Sequence, residues 1–303
     1  MRWNKLGRVY TAAGERPWAS SHAFVPTPLL LPDGRIRVYA AFLDKDKVGR
    51  VGYVEVDGRN PRDVRHVSPE PVLDVGAPGT FDDSGVTPLS VVEHQGRHYL
   101  YYVGWQLGVR ARYYLFLGLA VSSDGGLSFT RSSQAPVLDR SDEGLFVRGS
   151  AHVCVEGPRW RMWYVAGSEW REVRGKSVPT YDMRYQESSD GLHWGKTGRR
   201  CLALASSDEF GLARPFVLSD GGQYRMWYSI RTVSRGYRIG YATSADGVAW
   251  ARQDEQAGID VSPTGWDSEM VGFAAVVRSA GATLMFYNGN NYGETGFGVA
   301  VLE

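Results

Sequence analysis

The chain has 303 residues, 43% hydrophobic and 22% charged, enough apolar content for one large core or two smaller ones. Thirty-four basic residues against 33 acidic ones leave a formal charge of +1, which argues against nucleic-acid binding through a broad basic face and against a polybasic membrane anchor. Only Cys154 and Cys201 are present, which excludes a disulfide framework; with no run of roughly 18 apolar residues and no apolar leader in Met1–Tyr10, a cytoplasmic protein is expected.

In chain order, Trp3–Tyr10 reads as an outer strand. Phe24–Leu31 and Arg37–Ala41 follow, joined by the turn Pro32-Asp33-Gly34. The pattern then repeats as strand, polar turn, strand. It runs Val86–Val92 and Tyr99–Val103, Ala151–Val155 and Arg161–Val165, Pro215–Leu218 and Arg225–Ser229, and Phe273–Val277 and Leu284–Asn288. Third strands are expected at Tyr114–Val121, Tyr181–Glu187, Tyr237–Thr243 and Gly298–Glu303. Three of them run into the phrase S-x-D-G-x-x-W/F: Ser122 to Phe129 (with one extra glycine), Ser188 to Trp194 and Ser244 to Trp250. Asp-Gly marks a tight turn, because the glycine accepts positive φ and the aspartate bonds its own backbone. Their aspartates, Asp124, Asp190 and Asp246, are therefore read as structural.

A four-stranded antiparallel unit recurring at about 55–70 residues predicts an all-β, five-bladed β-propeller. The expected blades cover approximately 20–75, 80–140, 145–204, 208–260 and 266–303, in one domain spanning 1–303. The last blade lacks a fourth strand. Residues 1–10 resemble Trp194–Cys201, an outer strand, so the N-terminus is expected to complete the last blade and close the ring.

In such a ring the segments leading into the innermost strands meet at one face with the ends of the second strands. The residues expected there are His22, Asp82, Asp83, Arg148, Arg214, Asp267 and Glu269 from the lead-ins, His152 on an inner strand, and Trp105, Glu169, Trp170, Arg231, Asn288 and Asn290 from the strand ends. Carboxylates among aromatic rings suit carbohydrate chemistry, where two acids share the work on a glycosidic bond. Asp83 and Glu269 are the expected catalytic pair. His22, Asp82, Trp105, Arg148, His152, Glu169, Trp170, Arg214, Arg231, Asp267, Asn288 and Asn290 are expected to bind substrate. Arg148 and Arg214 make an anionic sugar or phosphate plausible. Glu156-Gly157-Pro158 falls in a hairpin on the opposite face and is set aside. No phosphate-binding, dinucleotide or zinc-protease motif is present, and neither a cofactor nor a metal is expected.

The repeated aromatic strands, the S-x-D-G-x-x-W turns and the polar lead-ins resemble the five-bladed propeller glycosidase superfamily, the group of glycoside hydrolase families 43, 32, 62, 68 and 130. The resemblance implies the propeller fold and carboxylate chemistry in a central cup. Family 43 members carry an Asp base, an Asp modulator and a Glu acid on the first three blades. The matching places here hold Ser21-His22, Asp82-Asp83 and Arg148-Gly149-Ser150, so that set is not reproduced. The expected function is a glycoside hydrolase-like enzyme that cleaves or transfers a glycosidic or sugar-phosphate bond. Its partner would be a small saccharide, sugar nucleotide or glycosylated metabolite. The alternatives are a propeller that binds a saccharide or a protein without catalysis, and one recruited to non-hydrolytic biosynthetic chemistry.

Overall fold

A computed structural model describes residues 1–303. The chain is all-β. Its only helical pieces are a 3-10 turn at Asp254–Gln256 and a four-residue turn at Asn290–Gly293. Strand β1 (Trp3–Tyr10) precedes a first unit of β2 (Ser21–Leu30), β3 (Arg35–Leu43), β4 (Gly49–Asp57) and β5 (Val64–Val67). A second unit holds β6 (Val86–His94), β7 (Arg97–Leu107), β8 (Tyr113–Ser122) and β9 (Thr130–Arg131). A third holds β10 (Val147–Glu156), β11 (Arg159–Val173), β12 (Lys176–Ser188) and β13 (Arg199–Leu202), and a fourth β14 (Glu209–Asp220), β15 (Gln223–Thr232), β16 (Arg238–Ser244) and β17 (Ala251–Arg252). The last unit, β18 (Gly272–Ser279), β19 (Ala282–Asn288) and β20 (Phe297–Leu302), is completed by β1, which pairs antiparallel with β20 from Trp3↔Leu302 to Tyr10↔Phe297. Short parallel bridges, Val147↔Leu115 and Tyr181↔Gly211, join the second, third and fourth units into one hydrogen-bonded sheet; the first and last units form separate sheets. No helix is long and apolar enough to cross a membrane.

Both faces of each middle strand are buried, so these strands are apolar at nearly every position. Alternate side chains feed alternate seams. Met162 and Tyr164 pack with Tyr101 of the second unit, whereas Trp163 packs with Met226 and Tyr228 of the fourth. In the same way Tyr39 meets Leu100 and Tyr102, Trp227 meets Met285 and Tyr287, and Phe286 and Phe297 meet Val38 and Phe42. Each unit thus shares an apolar seam with the next, and the last shares one with the first. Burying one such side chain stabilises by about 1.5–3 kcal/mol. The inner strands β2, β6, β10, β14 and β18 likewise lie one against the next, with β18 against β2. Each carries at least one register shift against its second strand. Val25, Ser150, Arg214 and Phe273 take positive φ at these bulges. The bulge N–H of Val25 donates to Asn288 Oδ1, that of Arg214 to Ser150 Oγ, and that of Phe273 to Ser229 Oγ.

The S-x-D-G turns latch one unit to the next. In each, the serine hydroxyl donates to the aspartate and accepts from the Gly N–H, while the aspartate accepts N–H groups further along the turn. Donors from the preceding unit then seize the turn carbonyls: Tyr39 OH on Gly126 O at 2.8 Å, Tyr101 OH on Gly191 O at 2.7 Å, and Trp163 Nε1 on Gly247 O at 2.6 Å. Gly191 has φ +72°, and a Cβ there would lie 2.6 Å from the Trp160 ring. We expect Tyr101→Phe to cost about 1 kcal/mol in urea unfolding and Gly191→Ala to cost more; an unchanged midpoint for Tyr101→Phe would remove the latch from the account of stability.

Candidate functional site

The lead-ins to the inner strands and the ends of the second and third strands gather at one end of the units, and contacts run around that end. Trp105 packs on Tyr113 at 5.4 Å between ring centres, Tyr113 on Trp170 at 5.9 Å, and Trp170 on Phe146 at 4.7 Å. Arg231 lies over Tyr181, Phe210 and Tyr237. Tyr237 packs on Phe273 and Tyr292. Gly293 stands against Phe24, and Gly49 bridges to Gly85. Beneath this mouth the centre is apolar: Val25, Leu89, Phe146, Ala213, Tyr237 and Phe273, drawn from all the units, form one cluster.

Several residues expected to bind substrate have internal partners in the fold. Asp82 is fully buried; its Oδ2 accepts from Arg131 Nε at 2.7 Å and Tyr102 OH at 2.9 Å, and its Oδ1 from Thr80. Asp267 is buried and accepts from Lys5 Nζ at 2.7 Å and Tyr287 OH at 3.0 Å. Arg148 pairs with Glu143 at 3.0 Å and donates to the carbonyls of Asp139 and Gly195. Asn288 spends its amide on Val25 N, Ala23 O and Gly296 O. Asn290 accepts from Glu269 N and donates to Gly265 O. The reason is common to all: a buried polar group costs several kcal/mol unless its hydrogen-bonding capacity is filled.

Arg214 and His152 sit in the interior, behind the mouth. Arg214 has no exposed surface; Nη2 donates to Pro26 O and Thr27 Oγ1, while Nε and Nη1 have no partner. Burial brings its pKa down to about 9. His152 packs on Phe216 at 4.6 Å, and its Nδ1 has no partner. Burial first, and then the Arg214 charge, lowers its pKa to about 3, so it is a neutral imidazole.

The other expected residues remain near solvent. Trp105 and Trp170 are half-buried in the aromatic wall, and Trp105 Nε1 donates to Thr87 Oγ1. Asp83 is partly buried and accepts from Gly79 N at 2.9 Å and Ser84 Oγ at 2.8 Å. Glu169 and Glu269 are exposed. His22 takes a positive φ of 62°, stands edge-on to Phe24 and meets Ser21 Oγ; burial lowers its pKa, opposed by Glu294 and assisted by Lys47. Sequence reasoning did not single out Tyr113, Tyr181, Tyr237, Phe146, Phe210 and Phe273, which the structure brings to this end. The signal was present: an aromatic lies at or near the start of each inner strand, and a tyrosine opens the third strand of the second unit (Tyr113), lies within that of the third (Tyr181) and immediately precedes that of the fourth (Tyr237). Burial, with Tyr181 nearby, pushes the Tyr113 hydroxyl up to about 12, so it is a neutral donor. One surface cavity lies elsewhere, at the outer turn of the fourth unit beside Gly222, Ser244 and Trp250, and is lined by no titratable group.

No family profile matches the chain. It is 38% identical over 303 residues to the uncharacterized protein Rv1502 of Mycobacterium tuberculosis (strain ATCC 25618 / H37Rv), covering all of both chains. The chain belongs to the Rv1502 family. The uncharacterized protein MT1551 of Mycobacterium tuberculosis (strain CDC 1551 / Oshkosh) matches to the same extent. Among solved structures, this member of the Rv1502 family superposes on a glycoside hydrolase with TM-score 0.76 at 18% identity, covering 98% of this chain and 91% of the other. A thermostable family-43 glycoside hydrolase gives 0.69 at 17% identity, covering 93% and 88%. A family-130 protein, from a group described as mannoside phosphorylases and glycoside hydrolases that target β-1,2 mannosidic linkages, gives 0.73 at 15% identity, covering 99% and 93%. The likeness is one of fold, and it bears out the resemblance to propeller glycosidases read from the sequence.

Two measurements test this sorting of charges. Arg131→Met strips the cation from fully buried Asp82 and should cost about 3 kcal/mol in chemical unfolding, whereas Arg214→Met, which removes a cation with no counter-charge, should change stability by less than about 1 kcal/mol or raise it. His152 is neutral in the folded chain and charges more readily once unfolded. Its contribution is therefore complete above its ordinary pKa of about 6.5 and is lost as pH falls toward about 3. The difference in stability between wild type and His152→Leu should accordingly shrink over that window, by at most about 1.4 kcal/mol per pH unit; a pH-independent difference would contradict it.

Proposed function

We propose that the chain is a five-bladed propeller, one domain over 1–303, that takes a saccharide in its aromatic mouth and acts on a glycosidic or sugar-phosphate bond. Four-stranded units with cyclic seams and inner strands in cyclic contact support the blade count. The observation that carries the function is the wall Trp105, Tyr113, Trp170 and Phe146, rings spaced 4.7 to 5.9 Å apart on a fold common to glycoside hydrolases. Aromatic rings bearing a polar edge suit the mixed C–H and hydroxyl surface of a sugar. His22 and Glu169 are assigned hydrogen bonds to hydroxyls. Asp83, its oxygens oriented by Gly79 N–H and the Ser84 hydroxyl, is assigned the base or nucleophile role, and Glu269, exposed at the lead-in of the last unit, the acid.

A second reading, saccharide binding without bond cleavage, is favoured by one observation. The most deeply buried carboxylates near the lead-ins, those of Asp82, Glu143, Glu209 and Asp267, are all engaged by cations, which leaves only rim acids for chemistry. Asp83→Asn and Glu269→Gln separate the two. Under the enzymatic reading, turnover of a glycoside found by screening falls at least about 100-fold in each variant while calorimetric affinity persists. Turnover that survives both substitutions would eliminate this acid pair, and affinity without any turnover in wild type would establish the binding reading.

A further inference from the structure

Of Arg148, Arg214 and Arg231, only Arg231 combines donors without a partner and exposed surface. Arg148 is neutralised by Glu143, and Arg214 is sealed from solvent. Arg231, on β15, is 9% exposed and has no carboxylate in ion-pairing reach; the groups acting on its charge are Tyr181, Tyr237 and Tyr113. Its guanidinium carbon stands 4.5 Å from the Phe210 ring centre, 5.3 Å from Tyr181 and 5.6 Å from Tyr237. Nη1 donates to the Tyr181 hydroxyl; Nε is buried without a partner, and Nη2 makes no bond within the protein.

The local chain is shaped to hold this arrangement. Gly211 is the register partner of Arg231, and a Cβ there would sit 2.7 Å from the Tyr181 ring and 3.2 Å from Arg231 Cδ. The missing side chain makes room for the stack. Rings on a guanidinium face recover only part of the several kcal/mol that burying a cation costs. They also leave Nη2 free in the guanidinium plane, a charged donor suited to an oxygen of a carboxylate or phosphate.

We propose that the saccharide taken by this mouth carries an anionic oxygen group, carboxylate or phosphate, and that Arg231 binds that group. The proposal rests on the saccharide reading above. It is tested by calorimetry on matched sugars of the gluco, galacto and manno series: the methyl glycoside, the methyl uronide and the 6-phosphate. At least one acidic sugar should bind at least about tenfold more tightly than its neutral twin, and whether uronide or phosphate gains most identifies the group. Arg231→Met should abolish that preference, and Arg231→Lys, which keeps the charge but loses the planar guanidinium, should restore part of it. Should Arg231→Met fail to fold, Arg231→Lys decides alone: an undiminished preference in it overturns the assignment. Equal binding of acidic and neutral sugars by wild type overturns the anion proposal and leaves the saccharide reading standing. Binding of no sugar in the set overturns both.

Discussion

A carboxylate that folding carries out of water must find a cation and a hydroxyl, and four of the units are organised around that requirement. Asp82 meets Tyr102 and Arg131; Glu143 meets Tyr164 and Arg184; Asp254 meets Tyr228 and shares Arg252 with Glu209; Asp267 meets Tyr287 and Lys5. In each, the tyrosine lies on the second strand and the cation on the third or fourth. The outer strands β9 and β17 have only two paired residues each. Ladders that short hold weakly, so the clamp from Arg131 or Arg252 ties the outer edge to the inner end of its unit. Each tyrosine fits this role because a buried phenol needs an acceptor and its ring fills a seam. Burial, with the adjacent carboxylate, keeps Tyr102, Tyr164, Tyr228 and Tyr287 protonated as donors.

Much of this architecture is local and therefore legible in the sequence. The S-x-D-G turns close within a few residues, and their aspartates have the structural role expected of them: Asp124 and Asp246 are held down to about 2, the first against its burial by Ser122 and Ser128, the second by backbone N–H groups. The recurring strand–turn–strand pattern and the likeness of residues 1–10 to an outer strand were equally readable. The first unit's own turn, Asp57-Gly58, escaped notice because no serine precedes it and no aromatic follows within the phrase. The clamps were illegible for a different reason. Asp82 and Arg131 are 49 residues apart, and Lys5 and Asp267 are 262 apart, so nothing nearby marks them as partners. The tyrosine-lined part of the mouth was hidden by chemistry: Tyr113, Tyr181 and Tyr237 look in sequence like the core tyrosines Tyr101 and Tyr164.

Three arginines illustrate how little a residue type decides by itself. All lie at or near the inner ends of their units. Arg148 has an acid five residues upstream, and the pair is structural. Arg214 falls at a bulge with φ +51°, and its side chain is enclosed with only Thr27 and a carbonyl as partners. Arg231 is sheltered by rings, with one bond to Tyr181 and an edge still free. The same cation is thus a tie, an interior group without a counter-charge, and an open donor, according to which acceptors the neighbouring units supply.

This contrast separates scaffold from site by physical means. Latches and clamps use polar groups whose capacity is filled, and they recur from unit to unit, latches in three and clamps in four, because the units meet the same problem of satisfying buried groups. The mouth residues do not recur in that way: the second strands run out through different side chains, with Trp105 and Trp170 both packed on Tyr113 and Arg231 lying over Tyr181 and Phe210. Superposition at 15–18% identity on glycoside hydrolases speaks for the scaffold alone. What this chain could recognise therefore has to be argued from unspent capacity, from rings with a free face and donors with no acceptor, at a place that solvent still reaches. By that criterion the proposed site rests on the aromatic wall and the edge of Arg231, whereas Asp82 and Asp267, acidic and well placed in sequence, have their oxygens engaged by internal partners.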